Sequence, residues 1–486
     1  MASTAEAVTP TSPLPRRRLD WVLLGLLVVS LGLRVALLRN GGPEFWGDET
    51  RYESAVDAVK ALRSGDMAGA AHAIFAKADH MGFKVAMILP AWGQAGLGWS
   101  DRVVALLGSG LFSTLNIVWV YALARRVGAP VAEARWAAFL LAASASMFYW
   151  SRHLVPYDMA LYWGLACLYT GLRPASRWHH SLLAGVLGFL AFVTYNGAWL
   201  LIAFALVVHV LRGWPAWEKM LLRGGFGLLG LAGSLGLLVI GSDFAGLDLL
   251  GAYRDFAGTI KQGDFSDGGY VLGQYLWQAE HGIMVVWMGA ALVFVGEAVG
   301  RREKTLGRPG LYFGGFMAIG TALILFSNVF EQFVVYGRLV RQTVPFLSLL
   351  GGWALARLVA MRWAGRWLRP VLVACLLVLT AANFARPLAQ EFPGAFHVKC
   401  DNAITAYVER LPDKAAQMRT RAKFRFLYKG FIWPVPEHYD LPPHEVLLQS
   451  PHPLQYEPFL FEGFDRRQRQ AIHETDISMR LILIKD

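Results

Sequence analysis

The sequence predicts a mainly α-helical polytopic membrane protein with a small mixed α/β soluble domain at its C-terminal end. Three observations carry this expectation. Of 486 residues, 55% are hydrophobic and only 17% charged, which is too apolar for an ordinary soluble enzyme. Apolar runs recur at about the 20-residue length that crosses a hydrocarbon core of about 30 Å. The basic residues behind the net charge of +11 fall in short clusters between those runs, as in cytoplasmic loops. No groove-reading or stacking motif accompanies them, which argues against a nucleic-acid partner.

The elements follow in order. Residues 1–19 form a basic tail with Arg16, Arg17 and Arg18. The apolar run behind it, 20–39, is interrupted by Arg34 and lacks a small-x-small cleavage site. It therefore reads as an uncleaved first membrane helix with its N-terminus inside. A long outer loop spans 40–100. Further helices are expected near 102–124, 136–151 and 159–172, with Arg125, Arg126 and Arg135 marking an inner loop.

The run 181–211 is ambiguous. As one helix it would be about 46 Å long, yet both ends are basic and Thr194-Tyr195-Asn196-Gly197 interrupts its middle. A hairpin of two short helices places every main basic cluster on one side; a single tilted helix would invert everything downstream. Helices near 224–241, 282–298, 310–328, 343–357 and 370–385 complete a membrane domain of 20–385 with about eleven spans. Between them, the loop 242–281 carries Asp243, Asp248, Asp255, Asp264, Asp267 and Glu280 against Arg254 and Lys261, which suits the outside. The tail 386–486 shifts to charge, histidine and proline. Asn402–Leu411 reads as a short helix, and Lys423–Trp433, Glu445–Gln449, Pro458–Phe461 and Ile477–Ile484 as strands. Cys167, Cys375 and Cys400 have no zinc or disulfide spacing and read as small buried side chains.

The chemistry-bearing residues gather on one predicted face. Gly47-Asp48-Glu49-Thr50-Arg51-Tyr52 places two acids, a base and a phenol early in the first outer loop. Thr50-x-x-Glu53 matches a capping box, and Tyr52, Ala55, Val56, Val59 and Leu62 share one face of an amphipathic helix. Acidic capping alone would account for Asp48 and Glu49, and an N-cap would account for Asp158. The topology nevertheless puts Asp48, Glu49, Arg51, Tyr52, His80, Lys84, Asp158, Arg338 and Arg341 on the same side, with Tyr157 beside Asp158. Acids and bases drawn from separate loops to one membrane face suit a phosphate ester and a hydroxyl acceptor.

Asp48-Glu49-Thr50-Arg51-Tyr52, placed after one membrane helix and a basic tail, resembles the first-loop motif of GT-C fold glycosyltransferases. The resemblance is to the aminoarabinose transferases of lipid A and the protein O-mannosyltransferases, and covers about residues 15–390, more by topology than by letters. It implies that Asp48 is the catalytic carboxylate and that Arg51 faces a lipid phosphate. Asp79-His80-Met81-Gly82-Phe83-Lys84 corresponds to the family's His/Lys-Pro-Pro element without its prolines, which implies Lys84 near that phosphate. Asp158 matches the second carboxylate. Arg338-Leu339-Val340-Arg341-Gln342-Thr343-Val344-Pro345 resembles the late basic loop without its Arg-Tyr pair, so either arginine can be the ligand.

The activity this implies is an inverting sugar transfer from a polyprenyl-phosphate donor to a hydroxyl of a lipid, glycan or protein. It would take place on the outer, periplasmic face of a bacterial inner membrane, with the N-terminus cytoplasmic and the C-terminal domain periplasmic. Such a reaction needs an apolar slot for the lipid, fixed positive charge for the leaving phosphate and a base for the acceptor. No Walker A or strand-linked GxGxxG suggests a nucleotide-sugar donor. No cofactor is called for; a divalent metal could sit near the outer acids, but no ligand spacing demands one. The competing class is a lipid or polysaccharide transporter or flippase, which needs polar or broken helices at the midplane. The expected helix centres are instead nearly free of charge. Asn116, Asn196 and His209 are the uncharged exceptions and suit helix packing. A third reading puts the function in the tail, with the membrane part as its anchor.

Overall fold

The computed structural model describes residues 20–38, 51–173, 177–262, 271–300, 307–330, 337–360, 365–389, 446–447 and 480–481. Asp48 and Glu49 lie outside them, as do Cys400 and nearly all of the tail; of the other two cysteines, Cys167 is buried as expected but Cys375, on the last helix, is exposed on the outside of the bundle. Of that tail, the end of the last helix (386–389) and two short strands, Val446–Leu447 (β1) and Arg480–Leu481 (β2), paired antiparallel, are described. The strands fall within two of those expected; the other expected tail elements lie outside the described residues.

The first helix, α1, is Trp21–Leu37. The expected outer loop is largely helical and holds α2 (Arg51–Arg63), α3 (Met67–Phe75), α4 (Met81–Ala86) and α5 (Ile88–Leu97). Next, α6 (Asp101–Ala105) continues through a π turn into α7 (Leu111–Arg126). The expected helix 136–151 is two helices, α8 (Val131–Ala142) and α9 (Ala145–Trp150), followed by α10 (Tyr157–Gly171). Then come α11 (Trp178–Thr194), α12 (Trp199–Leu211) and α13 (Trp217–Phe244). The expected acidic loop contains α14 (Leu249–Gln262) and the start of α15 (Val271–Gly300). After α16 (Gly307–Ile324), the short α17 (Gly337–Val340) leads through a 3-10 turn, Arg341–Thr343, into α18 (Val344–Ala360), and α19 is Gly365–Ala389.

Among the described residues, six segments are long and apolar enough to cross a membrane: Asp101–Arg126, Trp217–Phe244, Gly282–Gly300, Gly307–Val329, Gly337–Ala360 and Trp367–Ala385. Shorter apolar helices are Trp21–Leu37, Trp178–Thr194 and Asn196–Leu211.

The ambiguous run is a hairpin. His209, near the end of α12, meets Ser181, near the start of α11, at 2.9 Å. A Cβ at Gly188 would touch Ile202 at 3.0 Å, so the two helices run antiparallel. Its tip is tied down by Gln342, which donates to the Gly197 carbonyl at 2.9 Å and accepts from the Leu201 amide at 3.3 Å. Lipid is as apolar as leucine, so helices in a bilayer associate through close packing. The α11–α13 contact shows this: a Cβ at Gly185 would lie 2.0 Å from the Gly227 carbonyl. Only glycine allows that approach.

The α8–α9 break has a specific cause. Glu280, fully buried on α15, accepts from Ser144 Oγ at 2.7 Å and from the amides of Ala145 at 2.8 Å and Ser146 at 3.3 Å. Its carboxylate thus satisfies the first amides of α9. This corrects the placement of Glu280 in an outer loop. The first-loop helices sit on the bundle through a second core, in which Tyr52, Ala55, Val59, Phe83 and Met87 pack with Leu154 and Met159.

Candidate active site

Two groups of charged residues meet where the first-loop helices dock on α10, the α11–α12 tip and the 337–343 segment. The first is built on Asp79, which opens the Asp79–Lys84 stretch but carries no role in the sequence reading. Its carboxylate takes Arg51 Nε at 2.8 Å on one oxygen and Lys84 Nζ at 2.6 Å on the other. Arg51 opens α2 and Lys84 lies in α4, so Asp79 clamps the two helices together. Burial pushes the Asp79 carboxyl up, but Arg51 and Lys84 outweigh it and hold the group below its ordinary range. Burial depresses Lys84, and Asp79 offsets part of that. Arg51 and Asp79 keep side-chain exposures of 20% and 17%, so this cluster is within reach of a ligand. Both cations reach the Asp79 carboxylate.

His80 follows directly. Its backbone is left-handed, φ 53° and ψ 34°, a conformation that costs a non-glycine residue energy and concentrates at functional sites. Beside it, a Cβ at Gly82 would lie 2.9 Å from the Thr194 amide, so glycine lets α4 press on the α11–α12 tip. The His80 ring stacks on Tyr195 at 5.2 Å. Tyr195 meets Tyr157 edge-on at 4.9 Å, and Arg338 donates to the Tyr157 hydroxyl at 3.1 Å. An aromatic line thus joins the first loop to the late basic segment. Tyr195 is a second residue the sequence reading left unassigned; its only signal was the polar break inside an apolar run.

The second group is closed. Arg341 donates to Asp158 Oδ1 at 2.6 Å, with side-chain exposures of 3% and 0%. Arg34 of α1 is equally buried and donates to Ser113 at 2.8 Å; its charge acts on Asp158 as well. Among the described residues, Asp158 Oδ2 accepts no hydrogen bond. Asp158 lies in the first turn of α10 but does not cap it, because its carboxylate is turned to Arg341. The two arginines that the sequence left interchangeable are therefore distinct. Arg341 is committed to Asp158, while Arg338 is half-buried against Tyr157.

Tyr52 stands apart from both groups. It points into the second core and donates to Gln94 Oε1 at 2.6 Å; burial, with Asp101, pushes its phenol up to about 12. Among the described residues, no set of three or more His, Cys, Asp or Glu could hold a metal ion.

No protein-family model and no curated protein sequence matches this chain. Solved structures do. The oligosaccharyltransferase of Archaeoglobus fulgidus, in complex with Zn and sulfate, matches with a TM-score of 0.50 at 15% identity, over 87% of this chain and 58% of that one. ArnT from Cupriavidus metallidurans in the apo state matches with a TM-score of 0.50 at 16% identity, over 85% of this chain and 75% of that one. The chain spans little more than half the length of the archaeal protein. Both neighbours are membrane glycosyltransferases of the GT-C class, and GT-C is the fold of this chain.

Proposed function

We propose that this chain is an inverting glycosyltransferase. It moves a sugar from a polyprenyl-phosphate donor to an acceptor hydroxyl on the outer face of a bacterial inner membrane. The observation that carries this reading is the half-open cluster of Arg51 and Lys84 around the Asp79 carboxylate. It is joined through His80, Tyr195 and Tyr157 to Arg338, at one end of a GT-C bundle.

Asp79 holds the place of an anion. A donor phosphate entering there takes hydrogen bonds from Arg51 and Lys84, with Arg338 closing on it from the other side. Guanidinium groups offer a planar fork that fits phosphate oxygens. As the acceptor oxygen bonds to the anomeric carbon, the bond to the phosphate oxygen breaks and its electron pair leaves with the polyprenyl phosphate. The three cations stabilise that developing charge. The acceptor proton passes to a carboxylate. Asp48 is our assignment for this base: three residues before Arg51, it lies within about 11 Å of it along the chain. Glu49 is adjacent in sequence. Asp158, sealed with Arg341, acts in this reading as a positioning residue that holds the 341–343 turn beside the site.

Asp48→Asn keeps the shape and removes the basicity. Purified protein should bind polyprenyl phosphate as wild type does while its turnover falls by about 10²-fold or more. Turnover within a few-fold of wild type would reduce Asp48 to a helix cap. The orientation, including eleven spans and a periplasmic C-terminal domain, is part of the same reading. A cysteine introduced at Ser64 should react with an impermeant thiol reagent in intact cells, and one at Thr305 should not; the reverse pattern would invert the topology.

A further inference from the structure

The opposite end of the bundle also carries unbalanced charge. We propose that the ends of α7, α10 and α11 bind the phosphate headgroup of an anionic membrane phospholipid, held by Arg126 and Arg173. This goes beyond the transfer reaction and does not depend on it.

On this face of the bundle, several arginines are matched with acids. Arg135 pairs with Asp20 at 2.9 Å, Arg308 with Glu133 at 2.9 Å, and Arg357 with Glu297. The α7–α10–α11 corner is different. The Arg126 guanidinium lies over the Tyr169 ring at 4.0 Å. Arg173, one turn beyond Tyr169, hydrogen-bonds to the His180 ring, and His179 and His180 stand 4.3 Å apart. The charged groups acting on His180 are Arg173, His179, Arg177 and Arg126, all cationic or able to become so. Among the described residues, neither Arg126 nor Arg173 pairs with a carboxylate, and the Nε–H of each is buried without an acceptor. The N-terminus of the 17-residue α11 opens into the same corner, adding backbone donors and a positive helix end. Holding Arg126 and Arg173 at one corner with no carboxylate on either, among the described residues, is unfavourable unless an anion joins them.

The surroundings point to a lipid as its source. Trp178, Trp214 and Trp217 flank this end at 59%, 72% and 66% exposure. Exposed tryptophans beside basic residues mark headgroup depth in a bilayer. A phosphodiester there can accept both guanidinium forks while its acyl chains follow the exposed apolar faces of α11 and α13.

The test uses the full chain in detergent, titrated with phosphatidylglycerol or with phosphatidylcholine of the same acyl chains; retained lipid is counted by native mass spectrometry. Wild type should retain one phosphatidylglycerol at about tenfold lower concentration than phosphatidylcholine. The Arg126→Gln/Arg173→Gln pair should lose that preference, and Arg126→Lys/Arg173→Lys should keep most of it. If the glutamine pair fails to fold, His179→Glu, at an exposed position, places an acid in the corner and should lower the preference. Inorganic phosphate in millimolar excess should leave the bound lipid in place. Equal retention of the two lipids by wild type would overturn the proposal. So would an unchanged preference in the glutamine pair or, should that pair not fold, in His179→Glu. Full displacement by inorganic phosphate would overturn the lipid assignment.

Discussion

Asp79 and Asp158 are both aspartates between two arginine or lysine side chains, at the same end of the bundle, yet they are built for different work. Asp158 and Arg341 are sealed, with side-chain exposures of 0% and 3%. A pair taken out of water gains strongly from its partner but costs much to desolvate, and the loss of either member leaves a buried charge uncompensated. Asp79 and Arg51 remain 17% and 20% exposed, so a ligand anion can exchange with the carboxylate at small cost. The closed pair fixes the 341–343 turn against α10. The open cluster is where an incoming phosphate can find its cations.

The comparison predicts a steep asymmetry. Arg341→Ala should destabilise the protein by about 3–5 kcal/mol, because Asp158 is left buried without its direct partner. The thermal midpoint in detergent reads this loss, and adding Asp158→Asn should recover much of it. A single variant that melts with wild type would break the distinction between the two groups.

Asp79→Asn should cost less, about 1–3 kcal/mol for hydrogen bonds to charged groups. Its pH dependence has a definite sign. Arg51 and Lys84 hold the folded-state Asp79 carboxyl below the unfolded reference of 3.8. Its contribution is therefore complete above that reference and fades as pH falls through the lower folded-state value. The stability difference between wild type and Asp79→Asn should be flat from about pH 5 to 8 and shrink below about pH 4. A difference that changes between pH 6 and 8 would contradict the assignment.

Tyr52→Phe should have the smallest effect. Its hydroxyl donates to Gln94 inside the second core, so removing it should cost about 1 kcal/mol of stability and leave donor affinity unchanged. A Tyr52→Phe protein that binds donor more than about tenfold more weakly would move Tyr52 from the core into the site.

Much of this architecture was legible from hydropathy and charge. The hairpin at 178–211 followed from a polar break between two basic ends, and the amphipathic face of α2 from its spacing: Tyr52, Ala55 and Val59 are buried as expected. What escaped shares one physical cause. Glu280 read as a loop acid because a charge is costly in a membrane helix, and what satisfies it, the hydroxyls of Ser144 and Ser146 and the first amides of α9, comes from a broken neighbouring helix far away in sequence. Asp79 and Tyr195 act through partners far away in sequence or across an interface that no spacing rule reports. Arg338 and Arg341 looked equivalent because burial, which separates them, is a tertiary property.

The central claim is that the open cluster, and not the closed pair, receives the donor phosphate. Its most direct measurement is the affinity of the purified protein for polyprenyl phosphate, compared between wild type and Arg51→Ala. The side chain is partly exposed, so the variant should fold. Loss of its charge-assisted hydrogen bonds should weaken binding by about 10- to 100-fold, with Lys84→Ala in the same direction. An Arg51→Ala protein that folds and binds polyprenyl phosphate with wild-type affinity would contradict the account.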